Sequence, residues 1–207
     1  MRIIAGALRG RRFNAPPDDA TRPTTDRVRE SIFNLLHSRT ELRGAAVLDL
    51  FAGSGALALE AISRGAARAV LVEQNPKAQR TAKENAAALG VADQVRAVRG
   101  NAVTFLARPP SGRYDVVFAD PPYHLDGLRD LPDAVRKHAP GGWLVLEHDR
   151  HTSFEDHPAL ETSRRYGRTV VSLFDYSRAD RAEAEGATAA TPVAASQGDA
   201  SSDHDAA

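Results

Sequence analysis

The chain contains no cysteine and only one methionine and one tryptophan. Without thiols, disulfides, thiolate metal sites and cysteine nucleophiles are all excluded. Long apolar runs are also missing: nothing approaches the ~20 residues that a membrane-crossing helix requires. The opening MRIIAGALRGRRF lacks the uninterrupted apolar segment of a signal peptide. A cytoplasmic protein with no membrane partner is therefore expected. Net charge is zero, but the charges are unevenly placed. Residues 1–45 hold nine arginines against five acids, whereas 179–207 hold six acids against Arg181 alone. Basic residues gathered at one end point to a polyanionic partner.

The length suffices for one domain with a two-sided core. From Ala179 onward the chain is acidic, alanine-rich and without a large apolar residue beyond Val193. It cannot bury enough surface to offset its ordering entropy, and a disordered tail is expected over 179–207. Residues 1–178 then form a single domain, with a hairpin and helix at 1–40 and a core at 45–176. Within the core, short β-branched or leucine-rich runs (AAVLDL, AVLVE, QVRAV, YDVVFA, WLVLEH) alternate with helical patterns. NPKAQRTAKENAAALG opens on Asn-Pro and closes on Gly90, a sound helix start and stop. The alternation predicts an α/β fold with a doubly wound, mostly parallel sheet. ALETSRRYGRTVVSLFDYS adds two runs meeting at Tyr166-Gly167, an antiparallel hairpin that brings the sheet to seven strands. Val28, Ile32, Leu35 and Leu36 recur at helical spacing before the first strand, with Thr25 or Asp26 able to cap the start. RIIAGALRGRRF reads as a short strand pair appended to the sheet.

In VLDLFAGSGALALEA a strand runs into Gly53-Ser54-Gly55 and then a helix. Such glycines allow close backbone approach to a ligand at a helix N-terminus. Glu73 ends the second strand, where an acid can accept hydrogen bonds from both ribose hydroxyls. Asp49 at the end of the first strand would repel a pyrophosphate, so a cationic or zwitterionic adenosine ligand fits better than a dinucleotide. S-adenosylmethionine is such a ligand.

YDVVFADPPYH carries the fourth strand into Asp120, Pro121, Pro122 and Tyr123. The strand should end at the rim where the ligand lies, aiming Asp120 at the reacting centre. The prolines fix φ and lack N–H donors, leaving carbonyls free to accept, and Tyr123 offers a flat face to a planar base. Asp120 and the Pro121 carbonyl can hold the two hydrogens of an exocyclic amine and turn its lone pair toward a methyl donor. Adenine N6, cytosine N4 and guanine N2 all suit this geometry, and a glutamine amide stays open as a substrate. A base would have to be flipped or looped out. EHDRHTSFEDHP gathers His148, His151 and His157 with four acids, but their irregular spacing reads as a solvated or RNA-facing rim, and no metal is expected. Glu147 reads as a rim residue and Trp143 as core.

DLFAGSGALALEA together with DPPY resembles the class I S-adenosylmethionine-dependent methyltransferases. That resemblance implies cofactor contacts along Asp49, Phe51, Ala52, Gly53, Ser54 and Gly55, at Glu73 and Gln74, at Asn101 beside the adenine with the Ala102 backbone, and at Asp120. RIIAGALRGRRF, TRPTTDRVRESIFNLL and DPPY together resemble the RsmD family over about residues 1–176. Its bacterial enzymes methylate N2 of one guanine in 16S rRNA within the small ribosomal subunit. Membership implies that Thr25 and Asp26 close over the methionine end of the cofactor. It also implies that the front, with Arg2, Arg9, Arg11, Arg12 and Arg22, grips rRNA through phosphate contacts, on an assembled or assembling subunit. No obligate protein partner is evident, and a monomer is the default. A DNA adenine-N6 methyltransferase would use the same chemistry, although no insertion large enough for target recognition is visible. A non-catalytic rRNA-binding assembly factor of the same fold is the third possibility.

Overall fold

The computed structural model describes residues 1–15, 25–110, 112–122, 124–178 and 180. The expectations for Arg22, for Tyr123 and for the tail other than Asp180 lie outside the described residues. The elements follow in the order α1 (Asp26–His37), β1 (Ala46–Leu50), α2 (Ala56–Ser63), β2 (Arg68–Glu73), α3 (Pro76–Ala88), β3 (Val95–Arg99), α4 (Ala102–Ala107), β4 (Val116–Ala119), α5 (Leu131–Arg136), β5 (Trp143–Asp149), β6 (Leu160–Tyr166) and β7 (Thr169–Asp175). One sheet carries the strands in the order β3-β2-β1-β4-β5-β7-β6. The first five are parallel, while β7 runs antiparallel to both β5 and β6. This is the doubly wound, mostly parallel seven-stranded sheet that the alternating runs predict.

Helices cover both faces, which is why β1 is buried at every position. Val47, Leu71, Val116, Phe118 and Val145 face α1, α2 and α3, while Leu48, Leu50, Val72, Val117 and Leu144 face α4 and α5. Helix α1 lays Ile32, Phe33 and Leu36 on the first face, with Phe33 against Phe118 at a ring separation of 5.5 Å. Burying those three side chains contributes roughly 6 kcal/mol. The order in which strands are added reverses between β1 and β4, so a crevice opens at their carboxyl ends. Among the described residues no helix is long and apolar enough to cross a membrane.

The front arm departs from expectation. It doubles back, but with a single antiparallel bridge, Arg2 to Arg12, and it docks on α2 rather than on the sheet. Its amides are drawn to acceptors on that helix: Ile4 and Ala5 donate to the Glu60 carboxylate at 2.8 and 3.0 Å, and Leu8 donates to Ser63 Oγ at 3.0 Å. The fit is close at Gly6, where a Cβ would stand 1.9 Å from the Ser63 carbonyl oxygen. Glu60 is fully buried yet well paired, since Arg64 Nε donates to it at 2.9 Å and the buried Arg29 lies 4.0 Å away. At the other end of the chain, Asp180 pairs with Arg136 at 2.6 Å, two residues past the expected end of the fold.

Candidate active site

Three carboxylates gather at the carboxyl edge around the β1–β4 divide. Asp49, next to last in β1, is buried and turns under α2, where its Oδ2 accepts the Ala58 N–H at 3.1 Å. Glu73 ends β2; its Oε2 accepts the Gly53 N–H at 2.8 Å and its Oε1 the Asn75 N–H at 2.7 Å. Asp120 follows β4 and is half-buried. Burial, opposed by the Ala58 hydrogen bond and helped by the charges of Asp120 and Glu73, pushes the Asp49 carboxyl from 3.8 up to about 8. A cationic ligand would relieve this crowding of negative charge, and an anionic one would worsen it. The donor set therefore fits the sulfonium and ammonium groups of S-adenosylmethionine.

The loop between β1 and α2 is held tightly. Phe51 has φ of 62°, the one non-glycine residue at positive φ among those described. A left-handed backbone of this kind costs about 1–2 kcal/mol and persists where the surroundings enforce it. Ala52 N–H donates to the Val72 carbonyl at 3.0 Å, and Gly55 N–H to the Ala52 carbonyl at 2.7 Å. Gly55 serves packing: at φ of 81°, a Cβ there would lie 2.8 Å from Leu71 Cδ2. Ser54 is buried and turned to the front arm, with its Oγ 3.6 Å from Met1 Sδ.

On the other side of Glu73, Gln74 Oε1 accepts from Asn101 Nδ2 at 3.3 Å. Asn101 caps α4 through the Thr104 N–H at 3.1 Å, with Ala102 buried behind it. These residues stand together at the ends of β2 and β3. Beyond Asp120, the Pro122 carbonyl accepts the Leu125 N–H at 3.0 Å. The Pro121 carbonyl accepts from no backbone N–H of another described residue.

Other expected residues have local tasks. Thr25 caps α1, its Oγ1 accepting the Val28 N–H at 3.3 Å. Asp26 binds Arg29 Nη2 at 2.8 Å and Arg2 Nε at 3.1 Å. Arg11 donates to the Ala88 and Leu89 carbonyls, both at 2.6 Å, and so caps the C-terminal end of α3. Arg9 and Arg12 are exposed, and their side chains make no hydrogen bond or ion pair with another described residue.

The reading of 147–157 as a solvated rim is corrected in part. Glu147 and His148 are buried because β5 is covered on both faces. His148 Nδ1 lies 2.8 Å from the Asp149 carbonyl and its Nε2 2.8 Å from Ser172 Oγ. Among the described residues no group of acids and histidines could hold a metal.

Asn85 was missed by the sequence reading. Buried in α3, it exchanges hydrogen bonds with the Asn14 backbone (2.9 and 3.0 Å) and donates to the Ser54 carbonyl at 3.0 Å. It thus staples the front arm to the glycine loop. A signal existed, because Asn85 falls on the stripe of Ala78, Ala82, Ala86 and Leu89, where a polar residue must find partners.

A family model described as "Conserved hypothetical protein 95" matches residues 1–175. "Putative rRNA methyltransferase YlbH" of Bacillus subtilis is 36% identical over 183 residues, covering 84% of this chain and 98% of that protein. "Ribosomal RNA small subunit methyltransferase D" of Escherichia coli K12 is 43% identical over 147 residues, 71% of each chain. A solved structure of a hypothetical protein from Thermus thermophilus superposes with a TM-score of 0.73 at 35% identity, covering 84% of this chain and 99% of that one. With the three-carboxylate rim, the glycine loop and a match spanning the whole described core, the chain belongs to the conserved hypothetical protein 95 family, the RsmD family of methyltransferases.

Proposed function

We propose that this chain methylates the exocyclic N2 amine of a guanine in 16S rRNA of the small ribosomal subunit, using S-adenosylmethionine. The observation that carries the reading is the cluster of Asp49, Glu73 and Asp120 at the β1–β4 crevice, with the Pro121 carbonyl beside Asp120. The name of the Escherichia coli relative supports rRNA as the substrate class. Residues 1–178 act as one methyltransferase domain, with 1–40 as its front and 45–176 as its catalytic core, working in the cytoplasm as a monomer.

When bound, S-adenosylmethionine supplies a methyl group on a positively charged sulfur. Glu73 already receives one backbone N–H on each oxygen, which fixes the carboxylate and leaves a lone pair on each for a ribose hydroxyl. Asp49, protonated up to about pH 8 without ligand, would ionise beside a bound cation and compensate its charge from beneath the loop of Phe51, Ala52, Gly53, Ser54 and Gly55. Gln74, Asn101 and Ala102 would border the adenine, and Thr25 and Asp26 would hold the methionine side. Asp120 and the Pro121 carbonyl accept the two amine hydrogens of the flipped guanine, aligning its lone pair, while Pro122 keeps the turn closed through Leu125. Tyr123 stacks on the base. With the methyl carbon passed from sulfur to nitrogen and a neutral thioether left behind, Asp120 Oδ would accept the proton that nitrogen sheds.

The test offers labelled cofactor to undermodified small subunits, free 16S rRNA and DNA, followed by nucleoside analysis. N2-methylguanosine in the ribosomal RNA is expected. Label in DNA adenine would replace this reading with a DNA methyltransferase, and cofactor binding without label in any substrate would favour a non-catalytic assembly factor. Asp120→Ala should lower turnover about 100-fold or more while cofactor affinity stays within about threefold, as when a transition-state acceptor is removed. Parallel loss of affinity and turnover would refute the role given to Asp120.

A further inference from the structure

We infer that the tip of the β6–β7 hairpin is a second RNA-binding surface: Arg164, Arg165 and Arg168, with Tyr166 among them, grip the sugar-phosphate backbone flanking the target nucleotide. The inference rests on the rRNA methyltransferase reading.

Strand register locates the tip. Ala119 pairs with Leu146, so Asp120 stands in the row of Glu147; Glu147 pairs with Val171, and Val171 with Arg164. Arg164 is thus level with Asp120, three strand spacings along the same edge. At about 4.8 Å per spacing that is about 14 Å, or roughly four stacked nucleotides at about 3.4 Å each. The ladder runs two rows further, through His148–Val170–Arg165 to Asp149–Thr169–Tyr166, before the turn at Gly167. The hairpin tip therefore stands at the edge where the parallel strands deliver the candidate catalytic acids.

The chemistry of the tip fits a polyanion. Arg164, Arg165 and Arg168 are exposed, and the side chains of Arg164 and Arg168 make no hydrogen bond or ion pair with another described residue. Arg165 Nε donates to the Gly167 carbonyl at 3.0 Å, which holds its guanidinium at the turn. Tyr166 is partly buried against the core, an aromatic surface set among the cations. Arg150 adds a fourth exposed cation at the end of β5. The cations at the opposite end of the hairpin are engaged instead: Arg39 and Arg178 both pair with Glu161, at 3.8 and 3.3 Å.

The front arm offers less at this edge. Its turn rests against Ser63, the last residue of α2, and Arg11 caps the last turn of α3. Both helices run from the carboxyl edge of the sheet back toward its amino edge, so Arg9 and Arg11 sit away from Asp120. Arginines on an edge strand can also simply deter sheet-to-sheet aggregation. That role needs no cation in the turn, whereas Arg168 lies in it, and it predicts no change in RNA affinity.

The test uses the full chain with Arg164, Arg165 and Arg168 all changed to Gln. Binding to a 16S rRNA transcript is followed by fluorescence anisotropy across a salt series, with S-adenosylmethionine binding measured by calorimetry as a control. Losing three phosphate contacts should lower the slope of log K against log salt by about 2 and weaken binding roughly a hundredfold at 0.1 M salt. Cofactor affinity should not change, and the triple Lys variant should retain most of the RNA affinity. Unchanged slope and affinity in the Gln variant would overturn the inference, leaving the methyltransferase reading intact if methylation persists. A wild-type chain that neither binds nor methylates the RNA would overturn both. If the triple Gln variant aggregates, Arg168→Glu, outside the strand ladder, decides: at least tenfold weaker RNA binding supports the surface, and undiminished binding overturns it.

Discussion

Asp49→Asn isolates the electrostatics of the site. The folded chain holds the Asp49 proton up to about pH 8, against an ordinary value of 3.8. Between those limits the folded state binds more protons than the unfolded state, so stability declines as pH rises. The contribution is full below about pH 4 and is lost as pH passes through about 8. At about 1.4 kcal/mol per pH unit, the loss between pH 5 and 8 is roughly 4 kcal/mol. Asparagine carries no titrating proton, yet its Oδ1 can still accept the Ala58 N–H. Relative to wild type, the variant should therefore gain stability as pH rises. With about 2–4 °C of Tm per kcal/mol for a chain of this size, the variant's Tm advantage should widen by about 10 °C between pH 5 and 8. Thermal melts without cofactor provide the assay. The buried His138 and His148, whose pKa values burial lowers, titrate in both proteins and cancel in the difference. A Tm difference that is the same at both pH values would refute the reasoning.

Two further substitutions probe the packing around the crevice. Gly55→Ala places a methyl group 2.8 Å from Leu71 Cδ2 on a left-handed backbone, and should cost about 2–4 kcal/mol; an unchanged denaturation midpoint would show that the loop relaxes freely. Glu60→Ala strips the buried Arg29 of a nearby countercharge and Ile4 and Ala5 of their acceptor, for a loss of about 3–5 kcal/mol. Hydrogen exchange at the Ile4 and Ala5 amides should accelerate with it, and protection equal to wild type would contradict the docking role of Glu60.

The sheet was legible because its strands are buried on both faces, which writes them as unbroken apolar runs such as AAVLDL and YDVVFA. The rim acids were legible for a related reason: an acid directly after such a run has few places to go but the carboxyl edge. What was misread, at Glu147, or left unread, at Glu60 and Arg29, was buried charge. Glu60, Arg29 and Glu147 look like solvent-facing residues by type, yet all three are buried. Their partners are backbone amides or side chains distant in sequence, which local spacing does not reveal. The front arm was misread for the same reason, since its amides pair with an α2 carboxylate 55 or 56 residues ahead rather than with a neighbouring strand. Arg11 looked free because its acceptors are helix-end carbonyls 77 and 78 residues away.

Those long separations bear on how the protein comes into being. The first fifteen residues emerge from the ribosome well before the helices on which they settle. At about 5–20 residues per second, Arg11 waits roughly 4–16 s for its carbonyl partners to be synthesised. Until then Ile3 and Phe13, both buried at the end, are left exposed to water. Closing the arm over α2 and α3 must be a late event in biogenesis, and a nascent chain stalled before residue 85 would lack the asparagine that latches it.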